Sequence, residues 1–558
     1  MNDSRLRLQR HRPSWPFLVL VLGIFLLWGS GPRAQVQQPA ENPDESVPQE
    51  PPPPPPPPPP PTAGETLRVG FGIQPDQLEP SQVTNAAVAS LLEHVVETLV
   101  TVDESGAVVP HLAESWEISA DGRQYTFNLP TGVTFQDGTA LNAEAVVWNF
   151  ERMEQIVAVV DCPVVAVELA ALQSVQATDD DSVQINLSEP LPNFLGSLSW
   201  IAWGILSPLS VNLPDNELIN IQHPVGTGPY LFEALTESQM RLKRFDGYRG
   251  QQPYYSQLTV EFIGDAQSRG QRLLDGDLDV ALFPTSSQIG SFNRNADYEV
   301  QMSTSARTIF VALNNQKPPF DDVRVRQAVN YAIDKSTIVT SVLQGAATVS
   351  DAPVAPSVLG YCPSEPYGYD PAKATALLEE AAVPDGTSLA LLTPQGRYFE
   401  DEQVANKIAQ YLRAVGFEVT VTPVSWPAFM ATFYGAPDQL PEMHLFGWAP
   451  TFLDAGQQLP QLFNSTMWPP LGPSSSFYKN QPVEELLATA SKSVDPTTRA
   501  ELFCQASRQI WSDAPVIFLW AQKFPVAYKT GLADIVTLPN EKISLAFTRP
   551  ASVPPSGP

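Results

Sequence analysis

The sequence predicts an α/β body in which helices cover parallel or mixed sheets. Three observations carry that expectation. Stretches with apolar residues at helical spacing are followed closely by short β-rich stretches, an order that stacks helices over a sheet. The chain is 558 residues long with 43% hydrophobic and 9% aromatic residues, enough to build real cores and to exclude global disorder. No repeat of fixed period is present, so a solenoid or propeller is excluded.

The first 64 residues stand apart from that body. Arg5, Arg7, Arg10 and Arg12 precede the apolar run 17–28 (FLVLVLGIFLLW). A basic region before a short apolar one is the pattern of an export signal. The 20 uncharged residues between Arg12 and Arg33 are also just long enough to span a bilayer as a retained anchor. Pro32 spoils the cleavage sites at Gly31 and Ala34, and no cysteine follows for lipidation. Residues 1–34 are therefore expected to be a signal peptide or membrane anchor, placing the rest in the periplasm. Residues 35–64 hold 14 prolines, eleven of them consecutive from Pro51 to Pro61. At about 3.1 Å per residue in polyproline II that run is a spacer of roughly 34 Å.

Elements of the body follow in order. Residues 66–72 (TLRVGFG) are expected as an opening strand, and 81–100 as a helix with Val88, Leu91, Leu92, Val95, Val96 and Leu99 on one face. After the turn at Asp121–Gly122, residues 125–129 alternate as a strand. Asn142 caps a helix running to Met153. Residues 175–178 and 183–187 form a hairpin. Gly226–Pro229 is a tight loop before a further strand. Residues 269–274 read as helix, 278–283 as strand and 323–333 as helix. Asp370 followed by Pro371 starts the next helix. Residues 403–415 form a helix closed by Gly416, and 417–422 return as a strand.

Charge and motifs exclude several activities. The 32 basic and 60 acidic residues give −28, a poor binder of nucleic acid or anionic lipid. Loss of residues 1–34 would leave 27 basic against 59 acidic, net −32. The five histidines, at 11, 94, 111, 223 and 444, lie at no metal-binding spacing. No GxSxG, P-loop or GxGxxG is present, and Pro229 removes a donor that a phosphate loop around Gly226–Gly228 would need. The pair Glu151/Glu154 reads as a solvated helix face. The chain is thus expected to be no enzyme and to use no metal or cofactor. Of Cys162, Cys362 and Cys504, the first and second lie in proline-flanked loops and are expected to pair, with Cys504 buried and free on a helix.

Four motifs in order resemble the peptide/nickel-type (family 5) extracellular solute-binding proteins of ABC importers. They are 112–138 (LAESWEISADGRQYTFNLPTGVTFQDG), 223–230 (HPVGTGPY), 323–335 (VRVRQAVNYAIDK) and 370–381 (DPAKATALLEEA). GDLDV at 276–280 and LFGW at 445–448 agree with them, whereas Pro130 stands where the family usually has arginine.

The resemblance implies a bilobed periplasmic-binding-protein-like fold of the large, three-subdomain type II form. Lobe 1 would comprise 65–108, 215–306 and the return segment 520–548, with an extra subdomain at 109–214. Lobe 2 would comprise 307–519, and 549–558 would be a disordered tail. A short peptide or similar small solute would sit between lobes that close by a hinge.

Trp448 would stack on the ligand. Peptide-binding relatives pair an aspartate with the peptide amino terminus; here Thr451 takes that place and Asp454 lies three residues on. His94 and Trp426 are further pocket candidates and Gln74 a cleft-rim candidate, while Asn314 is expected to be structural at the lobe junction. The partners implied are the solute and ABC permease subunits, with the protein acting as a monomer. A tethered sensor of the same fold without its own importer is the alternative. Overall acidity hints at neutral or cationic solutes.

Overall fold

The computed structural model describes residues 65–160, 162 and 165–555. The basic and apolar start, the proline run and residues 556–558 lie outside these, and so do the signal, anchor and spacer expectations. Among the described residues no helix is long and apolar enough to cross a membrane.

The elements that position the site are, in chain order, β1 (Thr66–Phe71), α1 (Ala86–Leu92), β2 (Ser115–Ile118), β3 (Gln124–Asn128), α2 (Ala143–Val157), β4 (Leu172–Ala177) and β5 (Ser182–Leu187). Next come β6 (Tyr230–Leu235), β7 (Gln239–Arg244), β8 (Gln257–Phe262), α3 (Ala266–Leu274), β9 (Val280–Leu282), β10 (Tyr298–Leu313) and α4 (Val323–Tyr331). Then follow α5 (Pro371–Glu380), β11 (Thr387–Gln395), α6 (Asp401–Ala414), β12 (Phe417–Ser425), α7 (Trp426–Gly435), β13 (Met443–Trp448), α8 (Ala455–Phe463) and α9 (Pro496–Asp513). Strand β14 (Val516–Lys529) follows.

One sheet runs β12–β11–β13–β10–β14–β9–β1–β8–β7–β6, with the short strand Ala347–Val349 beside β14. Pairs β11–β12 and β1–β8 are parallel, as helix-linked strands require, and β10–β14 is antiparallel. Strands β10 and β14 are the long members, 16 and 14 residues. Almost every residue of β14 is buried, the near-continuous apolar run of a strand covered on both faces. The two cross between lobes, and their register slips between Thr304 and Thr308 and between Ile309 and Phe310. Such irregularity bends a strand locally. The signature region forms a separate antiparallel sheet, β2–β3–β5–β4, as the alternation and turn residues predict. Tyr125 and Phe127 of β3 bury their rings, and Gly122 takes φ 69° in the turn.

Three expectations need correction. The helix expected over 81–100 is confined to α1. Its apolar face is real, but the carbonyls beyond Leu92 are taken by other chain segments. Gly228 N–H donates to Val95 O, Tyr230 N–H to His94 O and Ile205 N–H to Glu97 O. The approach is close: a Cβ on Gly226 would lie 2.3 Å from Val95 O. The glycines of HPVGTGPY are therefore packing residues. The tail is ordered at its start, where Arg549–Pro550 pairs with Leu532–Ala533 and Arg549 meets Asp534 at 2.6 Å.

The disulfide joins Cys362 to Cys504, and Cys162 is buried outside it. Proline-flanked loops favoured the wrong partner, because α9 carries Cys504 beside the loop of Cys362. Closing a loop of 142 residues restricts the unfolded chain strongly. Reduction is expected to lower unfolding free energy by about 2–4 kcal/mol. Non-reducing peptide mapping that recovers a 362–504 cross-link checks the pairing, and urea melts with and without reductant check the magnitude.

Candidate functional site

Several of the candidate residues gather where strand β13 ends and the loop to α8 begins. Trp448 is the last residue of β13, paired with Thr308, partly buried against a core containing Phe429 and Phe446. It stands at the end of that strand. Tyr398 fixes this end by donating its hydroxyl to Gly447 O at 3.0 Å.

Trp426 opens α7, with Pro427 in the first turn, where a missing N–H costs nothing. Its ring stacks on Phe429 at 5.5 Å and meets Tyr398 edge-on at 6.2 Å.

Between these rings lies Arg397, which the sequence reading missed. Its guanidinium carbon is 5.1 Å from the Trp426 ring centre and 5.2 Å from that of Tyr398. The loop before α6 holds it: Asp401 accepts the backbone N–H groups of Gly396, Arg397, Tyr398 and Glu402 at 2.8–3.0 Å. The Arg397 side chain has no hydrogen-bond or ion-pair partner among the described residues. It is exposed to solvent, with the Trp426 and Tyr398 rings on either side. Partial desolvation by the surrounding rings, then the nearby Arg307 cation, hold its pKa below the ordinary arginine value.

Arg307 itself is neutralised across the cleft. It donates to Glu541 at 2.8 and 2.6 Å, and Ser305 adds 3.0 Å to the same carboxylate. Burial alone would raise the Glu541 pKa; Arg307 brings it below the ordinary range. Asn540, next to Glu541, donates to Thr451 O at 3.2 Å. Thr451 is otherwise tied to Gln457, which accepts its N–H at 2.8 Å and donates to its hydroxyl oxygen at 2.7 Å.

Two sequence candidates, Asp454 and His94, are held by protein groups. Asp454 is engaged by the protein: it caps α8 through Gly456 N–H at 2.6 Å and grips Arg499 at 2.6 and 2.8 Å. Arg499 also donates to Asn193 of the extra subdomain. Phe452 packs beside Gly196, so the trio Asp454–Arg499–Asn193 lies next to a second contact between the 452–499 and 193–196 segments.

His94 follows α1 and is buried. Its Nδ1 bonds Ser90 O at 2.7 Å and its Nε2 accepts Leu545 N–H at 3.2 Å. Both ring nitrogens are committed, which pins the return segment and leaves none for a ligand. Gln74 is exposed beyond β1 and takes no part in the contacts around Arg397. Asn314 lies buried past β10, where its N–H donates to Glu442 O at 2.9 Å, as a structural residue would.

Burial lowers the His94 pKa to about 4 and that of His444 to about 3. The unfolded chain protonates first, near 6.5. Stability from these residues is therefore full above pH about 6.5 and falls as pH drops toward 4, by up to about 1.4 kcal/mol per histidine per pH unit. Urea melts between pH 7 and 5 check the slope, and His94→Gln should flatten it.

Residues 107–469 match the bacterial extracellular solute-binding proteins, family 5. The chain belongs to this family. The family 5 chain is 29% identical over 487 residues to the glutathione-binding protein GsiB of Pectobacterium atrosepticum, covering 86% of this chain and 93% of that one. It superposes on the peptide-bound periplasmic binding protein DppA of Helicobacter pylori with a TM-score of 0.72 at 25% identity, covering 87% and 98%. NikA of Brucella suis, bound to Fe(III)-EDTA, shares the fold with a TM-score of 0.77 at 24% identity, covering 87% and 99%. Among the described residues of this family 5 protein no cluster of three or more His, Cys, Asp or Glu could hold a metal ion.

Proposed function

We propose that the protein captures a short peptide or similar small solute between its lobes and delivers it to the permease of an ABC importer. Arg397 is the observation that carries this reading. A cation walled by two aromatic rings and lacking a carboxylate partner is a ready-made seat for a ligand carboxylate. Trp426, Tyr398 and Trp448 would supply the apolar walls, and Thr451 a hydroxyl. Relatives that bind glutathione and a peptide support a ligand of this size. The ligand would bridge lobes that separate when empty, so contacts made only in the closed state shift the population toward closure.

Mass spectrometry of solute released from natively purified protein tests the reading. Recovered peptides or glutathione-like solutes would support it. A metal chelate, or no solute together with no thermal shift against peptide libraries, would overturn it. Residues 1–34 are proposed to retain the body at the membrane. A mature mass beginning near Gln35 would refute that anchor.

A further inference from the structure

We infer that a groove along α2 docks a helix of a second protein, one that carries lysine or arginine on either side of an apolar centre. The groove lies within residues 109–214 and involves none of the residues offered for the solute.

The groove, of about 500 Å³, runs between α2 and the segment Pro208–Leu209. Helical spacing decides what α2 shows to it. Glu144, Val147, Trp148 and Glu151 stand at i, i+3, i+4 and i+7, on one face of the helix, and all four line the groove. Val147 and Trp148 are half-buried, whereas Glu144 and Glu151 are exposed. Leu209 faces them from the other wall with 53% of its surface exposed. The floor is thus apolar, with a carboxylate at each end, about 10 Å apart along the helix axis at 1.5 Å per residue. The solvated face expected at Glu151 is also one rim of this groove.

The fold sets the groove in advance. Asn149, on the buried face of α2, donates to Leu206 O at 2.9 Å and accepts Leu206 N–H at 3.0 Å. Ser207 donates to Asp137 at 2.5 Å and Ser210 to Ser207 O at 2.6 Å. The wall that carries Leu209 is therefore fixed before a partner arrives, which lowers the ordering cost of binding. A half-buried tryptophan in a preformed groove is the kind of anchor that carries most of an interface's energy.

Charge selects the partner. Residues 109–214 contain 13 acidic residues, two arginines and no lysine. Arg152 is buried on Glu79, and Arg123 stands on the turn before β3. The carboxylates of Glu144 and Glu151 have no protein partner among the described residues. A helix with cations at i and i+7 and apolar residues at i+3 and i+4 would meet both carboxylates and cover Trp148 and Leu209. A second copy docking through the same face would bring a like-charged stripe and be repelled.

Titration calorimetry on the purified full chain tests the inference with a synthetic helical peptide that has lysine at i and i+7 and leucine at i+3 and i+4. The comparison peptide has glutamate in place of lysine and is expected to bind at least about tenfold more weakly. Trp148→Ala should weaken the lysine peptide by about tenfold or more. Glu144→Gln with Glu151→Gln should weaken it by about threefold or more. Glu379→Gln with Glu501→Gln, two exposed acids on α5 and α9, should leave it unchanged. Should Trp148→Ala fail to fold, the two glutamine pairs decide. No binding of the lysine peptide would overturn the inference. So would equal weakening by both glutamine pairs, which is bulk charge attraction, or no weakening by any substitution in the groove. A dimer in sedimentation equilibrium that Trp148→Ala dissolves would also overturn it, because the groove would then hold a second copy.

Discussion

Arg397→Gln is expected to weaken solute binding by roughly ten- to a hundredfold, the worth of one hydrogen-bonded charge at about 1.5–3 kcal/mol. The side chain donates to no protein group among the described residues, so nothing in the fold is left unpaired when it is shortened. The unfolding midpoint should stay within a few tenths of a kcal/mol of the parent, as for other substitutions outside the core. Arg397→Lys keeps the charge but loses the planar fork and the stacking on Trp426 and Tyr398, so its affinity should fall between the two. Calorimetric titration of the natively recovered solute into the three chains reads the effect. Unchanged affinity in Arg397→Gln, with the fold intact, would remove Arg397 from the site.

Asp454→Ala should do the reverse, costing stability rather than a ligand contact. It removes the cap of α8 and strands the Arg499 guanidinium, whose side chain is 9% exposed, without its counter-charge. Breaking a buried pair by removing one partner costs about 3–5 kcal/mol. The double variant Asp454→Ser with Arg499→Met should be more stable than Asp454→Ser alone, because no unpaired charge remains. Urea melts of the solute-free chains give these differences. Unaltered melts with lost solute affinity would mean that Asp454 serves the ligand after all. Because Arg499 also reaches Asn193, Asn193→Ala should favour separated lobes, visible as a larger radius of gyration in solution scattering without solute.

Much of the fold was legible because its signals are local. Asn142, Asp370 and Gly416 mark helix ends through bonds to neighbours within a few residues, and the structure shows those caps and turns in place. The alternation in 125–129 likewise reports a strand with one buried face. The first helix was misjudged from good apolar spacing. What ended it was the backbone of Gly226–Tyr230, more than 120 residues away, taking carbonyls that a helix would have used. The cysteine pairing failed for the same reason: loop composition carries no record of which helix lies alongside.

The site divides along the same line. Trp448, Trp426 and Thr451 could be picked out from motif position and residue type, and they stand on the segments flanking Arg397. Asp454 and His94 had the right chemistry for a ligand, but residues 45 and 451 positions away had already claimed them. Arg397 left no signal, since an arginine in a loop is ordinary until two aromatic rings enclose it and no acid answers it.

The sequence alone determined the family 5 signature, the α/β elements and the charge of the body, because these follow from neighbouring residues and side-chain type. Only the tertiary structure decided which polar groups were already satisfied and which were left without a partner. Hydrogen-bond and charge satisfaction is a property of assembled neighbours, and those neighbours come from distant parts of the chain.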